Sequence, residues 1–431
     1  MRSNPQRTAW ITLMGGLAIF ILLCVGTVVF ARWLLFESST ELSVTITVGR
    51  NTVSVGHPDE SDEIAVRSIS TVGRLDRLST DNNSQGYLAF ADPYSGDVVA
   101  MVTLHSDSIV TLAQASRPRF SLSENPYFIR LTNVVGRLEV WVRPGLEREL
   151  RLDIQGPLGT TRISDGGSYQ IESTSLLYTT TARSGSATLV NLGGQTQHLT
   201  RSKQGRIVLD SPAITVSPGP IDLLPNSMFG QETEWPVAWA CAFYESLDNP
   251  NAPTGSYNFV NIDGRPTLHI QRLALNSGPG AIGCEQSLGG PDGLDVTGYD
   301  SLRLRVSMRV HYQKLSACGV EGSECPIMLY LEYTDLDGNP RQWYHGFYAE
   351  YTPNEGRTRC ASCLEEHEKI NKDAWYIYEG NLLTILPQEL RPGSINLIKF
   401  YASGHEFDVM LNEVSLVAIQ TDPASSVASA R

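Results

Sequence analysis

Six cysteines offer the most specific chemistry in this sequence. They lie beyond its midpoint, at Cys241, Cys284, Cys318, Cys325, Cys360 and Cys363. Cys318 and Cys325 bracket a glycine-rich loop and the last two form a C-x-x-C motif, which together suggest a zinc site of four thiolates. The first gap is wide for a zinc knuckle, and an even number of cysteines in an exported region favours disulfides. We expect the pairs Cys318 with Cys325, Cys360 with Cys363 and Cys241 with Cys284, with zinc as the alternative.

Aromatic residues form a second candidate site, because they concentrate in one third of the chain. The members are Trp343, Tyr344, Phe347, Tyr348, Trp375, Tyr376 and Tyr378. A sugar ring stacks its C–H face on an exposed aromatic plane while nearby polar side chains bond its hydroxyls. The predicted ligand-binding residues are Trp343, Tyr344, Trp375, Asp337, Asn339 and Arg341. Since side chains alternate along a strand, some of these rings must lie in the core.

Two charged patterns suggest metal or polymer binding. The run Asp335 to Asn339 is similar to a calcium loop, but it lacks the continuing ligands and terminal glutamate of an EF-hand, so we expect a hairpin turn. Arg303, Arg305 and Arg309 alternate along one strand and would meet an anionic polymer. A solvated strand face is the simpler interpretation of this stripe.

Catalysis leaves no recognisable motif here. The eight histidines are scattered, and none accompanies a spaced nucleophile or metal-hydrolase signature. Paired carboxylates for glycosidic cleavage come from distant strands and would leave no local pattern. The formal net charge of −13 argues against a nucleic-acid partner. We therefore expect a binding protein and not an enzyme.

A long apolar segment near the start must position these groups outside a membrane. Ala9 to Ala31 contains 23 residues without a charge, enough to span the roughly 30 Å hydrocarbon core of a bilayer as a helix. It ends in a poor cleavage site, which favours an uncleaved single-pass anchor over a signal peptide. Arg2 and Arg7 precede it, so the N-terminus is predicted to be cytoplasmic and the remainder extracytoplasmic. The cytoplasmic tail, residues 1–8, is too short to bury a core.

Short alternating apolar runs, broken by Gly, Asn, Asp and Ser, predict an all-β domain over residues 42–215. One pattern in it is carried by Thr80, Ser84, Leu88, Phe90, Gly96, Val102, Leu104 and Ser108. A second runs through GGSYQIES (Gly166 to Ser173) and the repeats from Thr181 to Leu209. This order of strands and glycine turns resembles the FecR family of extracytoplasmic domains, which implies short stacked strands. Family members that regulate transcription also carry a cytoplasmic anti-sigma segment, for which this chain has no room.

Residues 216–225 are rich in proline and predict a stiff linker to a second β-domain, residues 226–420. The domain opens with N-S-M-F (Asn226 to Phe229) and Trp235 and closes with V-M-L-N-E-V-S-L (Val409 to Leu416). These features are similar to galactose-binding-like jelly rolls, which include many carbohydrate-binding modules. The resemblance implies a structural Ca²⁺ near Asn226, Glu232 and Asp408. Residues 421–431 are predicted to be a disordered tail.

These observations together predict an all-β protein: a transmembrane helix, a FecR-like β-domain of short stacked strands and a β-sandwich jelly roll. The expected function is that of a membrane-anchored extracytoplasmic binding protein of the bacterial cell envelope that contacts cell-wall or extracellular glycan. The alternative is a FecR-like sensor or scaffold that acts through an envelope protein partner in transmembrane signalling or envelope assembly. Apart from the structural Ca²⁺, no cofactor is expected.

Overall fold

A computed structural model describes residues 5–58, 62–229, 239–244, 255–273 and 279–420. Within them the chain forms an N-terminal helix and two domains built mainly of antiparallel strands, which confirms the predicted all-β class. The predicted calcium ligand Glu232, Trp235 and the tail 421–431 lie outside the described residues.

The helix α1 (Pro5–Arg32) continues into a π-helical turn, Trp33–Glu37. Its 28 residues extend about 42 Å, and its large apolar side chains, from Trp10 to Phe30, are exposed. Burial of such side chains away from water is strongly favourable, and the two domains do not cover them. Of the described helices, this is the one long and apolar enough to cross a membrane, a test that a signal sequence also passes.

The first domain contains eighteen described strands. They are β1 Ser39–Glu41, β2 Ser43–Arg50, β3 Val53–Gly56, β4 Ile64–Val66, β5 Ile69–Thr71, β6 Arg77–Thr80, β7 Gln85–Ala91, β8 Val98–Leu104, β9 Ile109–Pro118, β10 Tyr127–Val142, β11 Leu150–Gln155, β12 Gly159–Ile163, β13 Gly167–Ser173, β14 Leu177–Ala182, β15 Ala187–Asn191, β16 Thr196–Leu199, β17 Lys203–Val208 and β18 Ser211–Pro218. Sheet A has the order β4-β3-β6-β9-β10-β11-β12-β15-β16, with β1 also on β9. Sheet B has the order β5-β2-β7-β8-β10-β13-β14-β17-β18.

The long strand β10 belongs to both sheets. Its first half pairs with β9 and β11, and its second half pairs with β8 and β13. Between the halves the register shifts from Thr132 to Val135, and Asn133 and Gly136 adopt φ values of 53° and 94°. A Cβ at residue 136 would lie 2.5 Å from the Oγ of Ser108, so only glycine fits at this crossing. The core packs between the sheets, with Ile46, Leu78, Leu88 and Phe90 fully buried among others.

Half of the predicted linker, residues 216–225, is strand. β18 continues to Pro218, and a short strand, β19 (Ile221–Asp222), already pairs with the last strand of the second domain. Only Gly219 and Pro220 lie between these strands. The prolines are tolerated because β18 lies at an edge of sheet B, where a missing backbone N–H leaves no partner unsatisfied. The stretch between the last strand of the first domain and the first strand of the second is therefore shorter than the predicted linker, residues 216–225.

The second domain is a sandwich of two sheets. Its strands after β19 are β20 Ala240–Tyr244, β21 Ser256–Ile262, β22 Arg265–Arg272, β23 Gly280–Ser287, β24 Leu294–Asp295, β25 Ser301–Gln313, β26 Ile327–Asp335, β27 Pro340–Tyr348, β28 Glu368–Lys369, β29 Tyr376–Asn381, β30 Pro392–Gly404 and β31 Phe407–Ile419. Sheet C has the order β21-β22-β31-β25-β29, with β19 on β31. Sheet D has the order β20-β23-β30-β26-β27-β28, with β24 on β30. Short helices occur at α2 (Leu382–Ile385) and at the 3₁₀ turns Gly290–Asp292 and Gln388–Leu390.

Alternation along the strands fills the space between sheets C and D. In β25 the apolar set Leu302, Leu304, Val306, Met308 and Val310 is buried in the core, as the period of two predicts. Sheet D contributes Leu329, Leu331 and Phe400, among others, to the same core. The opposite faces of the two sheets therefore remain for other contacts.

The outer face of sheet C packs against the outer face of sheet B. The guanidinium of Arg305 donates two hydrogen bonds to Glu139 of β10 and, through Nε, a third to Glu413 at 2.8 Å. Arg137 of the first domain bonds Glu379 of the second. The four sheets therefore stack in the order A, B, C, D, with charged residues between B and C.

This packing corrects the interpretation of the arginine stripe. Arg305 is only 4% exposed and contacts the first domain, so it belongs neither to a solvated face nor to a surface for anionic polymer. Arg303 is 34% exposed and donates to Glu379 at 2.8 Å. The polar face of β25 points outward as predicted, but another domain covers it.

The interface carboxylates depend on these arginines. Burial alone would raise the pKa of Glu379, but Arg137 and Arg305 outweigh it and lower that pKa to about 2. Burial is likewise outweighed at Glu413, where Arg183 and Arg305 lower the pKa to about 2. Burial of Glu139 is opposed first by Arg305 and then by His105, and its pKa lies well below the ordinary value.

The protein is expected to lose stability in acid because of this interface. An unfolded glutamate has a pKa of about 4.3. As the pH falls, these glutamates therefore bind protons in the unfolded chain first, whereas Glu379 and Glu413 stay ionised in the folded protein until the pH approaches about 2. Stability from these groups is complete above about pH 5 and falls as the pH decreases, by up to about 3 kcal/mol for each carboxylate. Urea unfolding between pH 7 and pH 3 measures the slope. Glu379→Gln should flatten it, and an unchanged slope in that variant would contradict the assignment.

Candidate functional site

The outer face of sheet D carries the candidate site. Along β26, Leu329 and Leu331 point into the core, and therefore Tyr330, Glu332 and Thr334 point outward. These three side chains are half-buried. Strand β27 lies beside them, with Tyr330 opposite Tyr344 and Glu332 opposite Gln342.

A cavity of about 710 Å³ opens on this face. Its lining combines aromatic, carboxylate, amide, hydroxyl and apolar side chains: Glu332, Tyr333, Thr334, Pro340, Arg341, Gln342, Tyr344, Ser362, Leu364, Leu390 and Asn396. Apolar walls with a few convergent polar groups are typical of ligand sites. Glu332 is the sole carboxylate among these lining residues, whereas glycoside hydrolysis by paired carboxylates uses two.

Tyr344 lines the cavity, and the ring of Tyr330 packs beside it. The ring centroids of Tyr330 and Tyr344 lie 4.8 Å apart with their planes tilted by 40°. The hydroxyl of Tyr344 donates to Oε1 of Gln342 at 3.2 Å, and that of Tyr330 donates to Glu332. Burial and the Glu332 carboxylate raise the pKa of Tyr330, which keeps its hydroxyl protonated. The rings are therefore held in place by hydrogen bonds to their neighbours.

The β26–β27 hairpin positions Arg341 at the edge of the cavity. Oδ1 of Asp335 accepts hydrogen bonds from the backbone N–H groups of Asp337 and Asn339, at 3.0 and 2.8 Å. Its Oδ2 accepts from Nε of Arg341 at 2.8 Å. The Asn339 backbone and Arg341 lower the pKa of Asp335 to about 2. Asp335 therefore stabilises the predicted hairpin turn, which has Gly338 at its tip, because N–H groups donate hydrogen bonds to both of its carboxylate oxygens.

The structure separates the predicted ligand residues. Tyr344 and Arg341 line the cavity, but Trp343 and Trp375 are 1% and 5% exposed and cannot stack on a ligand there. The Trp343 ring packs parallel to His345 in the core, with centroids 5.7 Å apart. Adjacent residues of a strand face opposite sides, so only one of Trp343 and Tyr344 can point outward.

Sequence reasoning missed several lining residues that alternation would have found. Glu332 and Thr334, which line the cavity, share one face of IMLYLEYTD with their neighbour Tyr330, opposite Leu329 and Leu331. Gln342 likewise shares the face of Tyr344 in the next strand. In contrast, Ser362 and Asn396 come from a loop and from β30, and no local pattern joins them to the site.

Three disulfides join the cysteines in the pairs that the sequence favours: Cys241–Cys284, Cys318–Cys325 and Cys360–Cys363. The first links β20 to β23 within sheet D. The other two enclose His367. Its Nδ1 accepts from the backbone N–H of Gly346 at 2.9 Å, so Nε2–H donates to the carbonyl of Gly322 at 2.8 Å. Sulfurs joined in disulfides are not thiolates, and this cluster fixes the loop that carries Ser362 into the cavity wall.

The predicted calcium ligands have other partners where the structure describes them. Asp408 accepts hydrogen bonds from His269 and Gln271, each at 2.8 Å. The backbone carbonyl of Asn226 accepts from Nε1 of Trp239 at 3.1 Å. The calcium site therefore stays a prediction.

No protein-family model and no curated protein matches this sequence. Solved structures with a partial likeness include a protein described as an anti-sigma factor from Parabacteroides distasonis, with 12% identity and a TM-score of 0.26 over 33% of this chain. The chain spans 59% of that protein's length.

Carbohydrate-binding modules also appear among the structural neighbours. A xylan-binding domain from Paenibacillus barcinonensis is 12% identical, with a TM-score of 0.24 over 47% of this chain and 97% of its own. A family 30 carbohydrate-binding module is 13% identical, with a TM-score of 0.24 over 42% of this chain and 79% of its own. Likenesses at this level establish neither a family nor a function for this chain.

Proposed function

We propose that this chain is a membrane-anchored extracytoplasmic binding protein whose second domain binds glycan on the outer face of sheet D. One observation carries this proposal: the half-buried pair Tyr330 and Tyr344 beside a cavity whose polar groups converge. Sugar rings need an aromatic face for their C–H groups and carboxylate or amide groups for their hydroxyls. Glu332, Gln342 and Asn396 supply the latter here.

The layer order supports the accessibility of this face. Sheet B covers the outer face of sheet C through Arg305 and Glu139, whereas the lining of the cavity on sheet D includes no residue of the first domain. The exposed apolar helix α1 and the three disulfides agree with an anchored domain in an oxidising compartment. The first domain would hold the ligand-binding domain away from the bilayer.

The experiment is glycan-array binding with the full chain in lipid nanodiscs. Loss of one stacking ring is expected to weaken binding by about tenfold, from about 1.4 kcal/mol of lost contact. We therefore expect Tyr344→Ala to lose about tenfold in affinity for any glycan that the wild type binds. Its thermal unfolding should change little, since the ring is only half-buried.

Tyr351→Ala is the matched control, because Tyr351 is also a partly exposed tyrosine of the second domain but does not line the cavity. Equal losses in both variants, or none in Tyr344→Ala, would contradict the proposed site. Silence of the wild type across the array, together with one stoichiometric protein partner after purification from membranes, would favour the sensor or scaffold function instead.

A further inference from the structure

The cavity on sheet D has an unequal charge balance. Arg341 and Glu332 are the two lining residues with a charge at neutral pH. Arg341 is already paired, because its Nε lies 2.8 Å from Oδ2 of Asp335, whose side chain is shielded from solvent. The pKa of Asp335, lowered to about 2, keeps that carboxyl ionised, so this pair contributes no net charge.

Glu332 is different, because its hydrogen-bond donor is neutral. The carboxylate accepts from the hydroxyl of Tyr330, which does not cancel its charge. A cation on the same face, Lys399, lies opposite Tyr330 in the register, and its Nζ is 3.8 Å from the carboxylate of Glu285. The cavity therefore presents one uncompensated negative charge beside its aromatic pair.

A negatively charged ligand would be repelled by this carboxylate. Coulomb repulsion between like charges a few ångströms apart is large where the surroundings are partly desolvated. The chain's net charge of −13 adds a long-range barrier to the approach of any polyanion. A carboxylate only accepts hydrogen bonds, and its two oxygens suit the hydroxyl donors of an uncharged sugar.

We propose that this cavity selects uncharged glycans and rejects acidic ones, and that Glu332 is the residue that makes the distinction. This inference rests on the proposed glycan-binding function. Gln342 and Asn396 bond hydroxyls regardless of the charge of the polymer, so they do not discriminate.

The experiment compares ligands that differ only in charge. Oligosaccharides of β-1,4-linked glucan, galactan and mannan are each measured beside the same oligosaccharide oxidised at C6 to the uronate, by calorimetry with the full chain in nanodiscs. The wild type should bind at least one neutral member, and its oxidised partner at least tenfold more weakly. Glu332→Gln keeps the shape of the side chain and can still accept from Tyr330, so it should reduce the difference to about threefold or less.

Glu355→Gln is the control, since it removes an exposed carboxylate of the second domain that does not line the cavity. It should leave the discrimination unchanged. Equal or tighter binding of the oxidised form, or an unchanged difference in Glu332→Gln, would overturn this inference while leaving the glycan site intact. Absence of binding to every member of the set by wild type would overturn it together with the proposed function.

Discussion

Arg305→Ala is expected to destabilise the protein by about 3–5 kcal/mol, the cost of removing one partner from a buried ion pair. The guanidinium is 4% exposed and bonds Glu139 and Glu413, whose side chains are 8% and 1% exposed. Without Arg305 these carboxylates stay buried with much less compensating charge. They must then take up protons or draw water into the interface, and both outcomes weaken the contact between sheets B and C.

Arg303→Ala is the matched control for this prediction. Arg303 is the same residue type, two positions away on the same face of β25, and it also pairs with Glu379. Its greater exposure limits the expected loss to about 1 kcal/mol or less. Urea unfolding of both variants at pH 7 makes the comparison, and similar losses in the two would contradict the buried interface.

Trp343→Ala is the second large effect, with an expected loss of about 3–5 kcal/mol in unfolding free energy from the cavity left in the core. The indole is 1% exposed and stacks on His345, which stacks in turn on Tyr378 with centroids 5.1 Å apart. Its removal leaves a large void between sheets D and C that neighbouring side chains cannot fill without moving.

The adjacent variant Tyr344→Ala separates this role from ligand binding. Its side chain points outward, so the free energy of unfolding should fall by no more than about 1 kcal/mol, while glycan affinity falls. Thermal and urea unfolding measure the first quantity, and calorimetry measures the second. A stable Trp343→Ala that lost binding would reverse the assignment of the two faces of β27.

Much of the fold follows from the sequence. Period-two alternation in SLRLRVSMRVHY identified β25 and the apolar set that it buries, because side chains of a strand must alternate whatever the strand contacts. The long apolar helix was predicted from its uncharged composition, and the structure places it at Pro5–Arg32. The cysteine pairing could be favoured in advance because two of the pairs are close in the chain.

The same reasoning from the sequence could predict only part of the candidate site. Aromatic content directed attention to β27, but content does not say which neighbour faces the core, and Trp343 was wrongly included with Tyr344. Counting alternation outward from Leu329 and Leu331 would have favoured Tyr330 and Glu332. No local count could add Asn396, because it reaches the site from another strand of the sheet.

The sequence by itself determined that the chain is all-β and follows an apolar helix. It also determined which strands have alternating apolar and polar residues, and that Arg305 points away from the core of its own domain. The tertiary structure alone decided that another domain covers this face. Glu139 lies 166 positions from Arg305 along the chain, and their contact forms only when sheets B and C pack. The same packing leaves the cavity on sheet D without a lining residue from the first domain. Local periodicity fixes the direction of a side chain, whereas what it meets depends on contacts between segments that are distant in the chain.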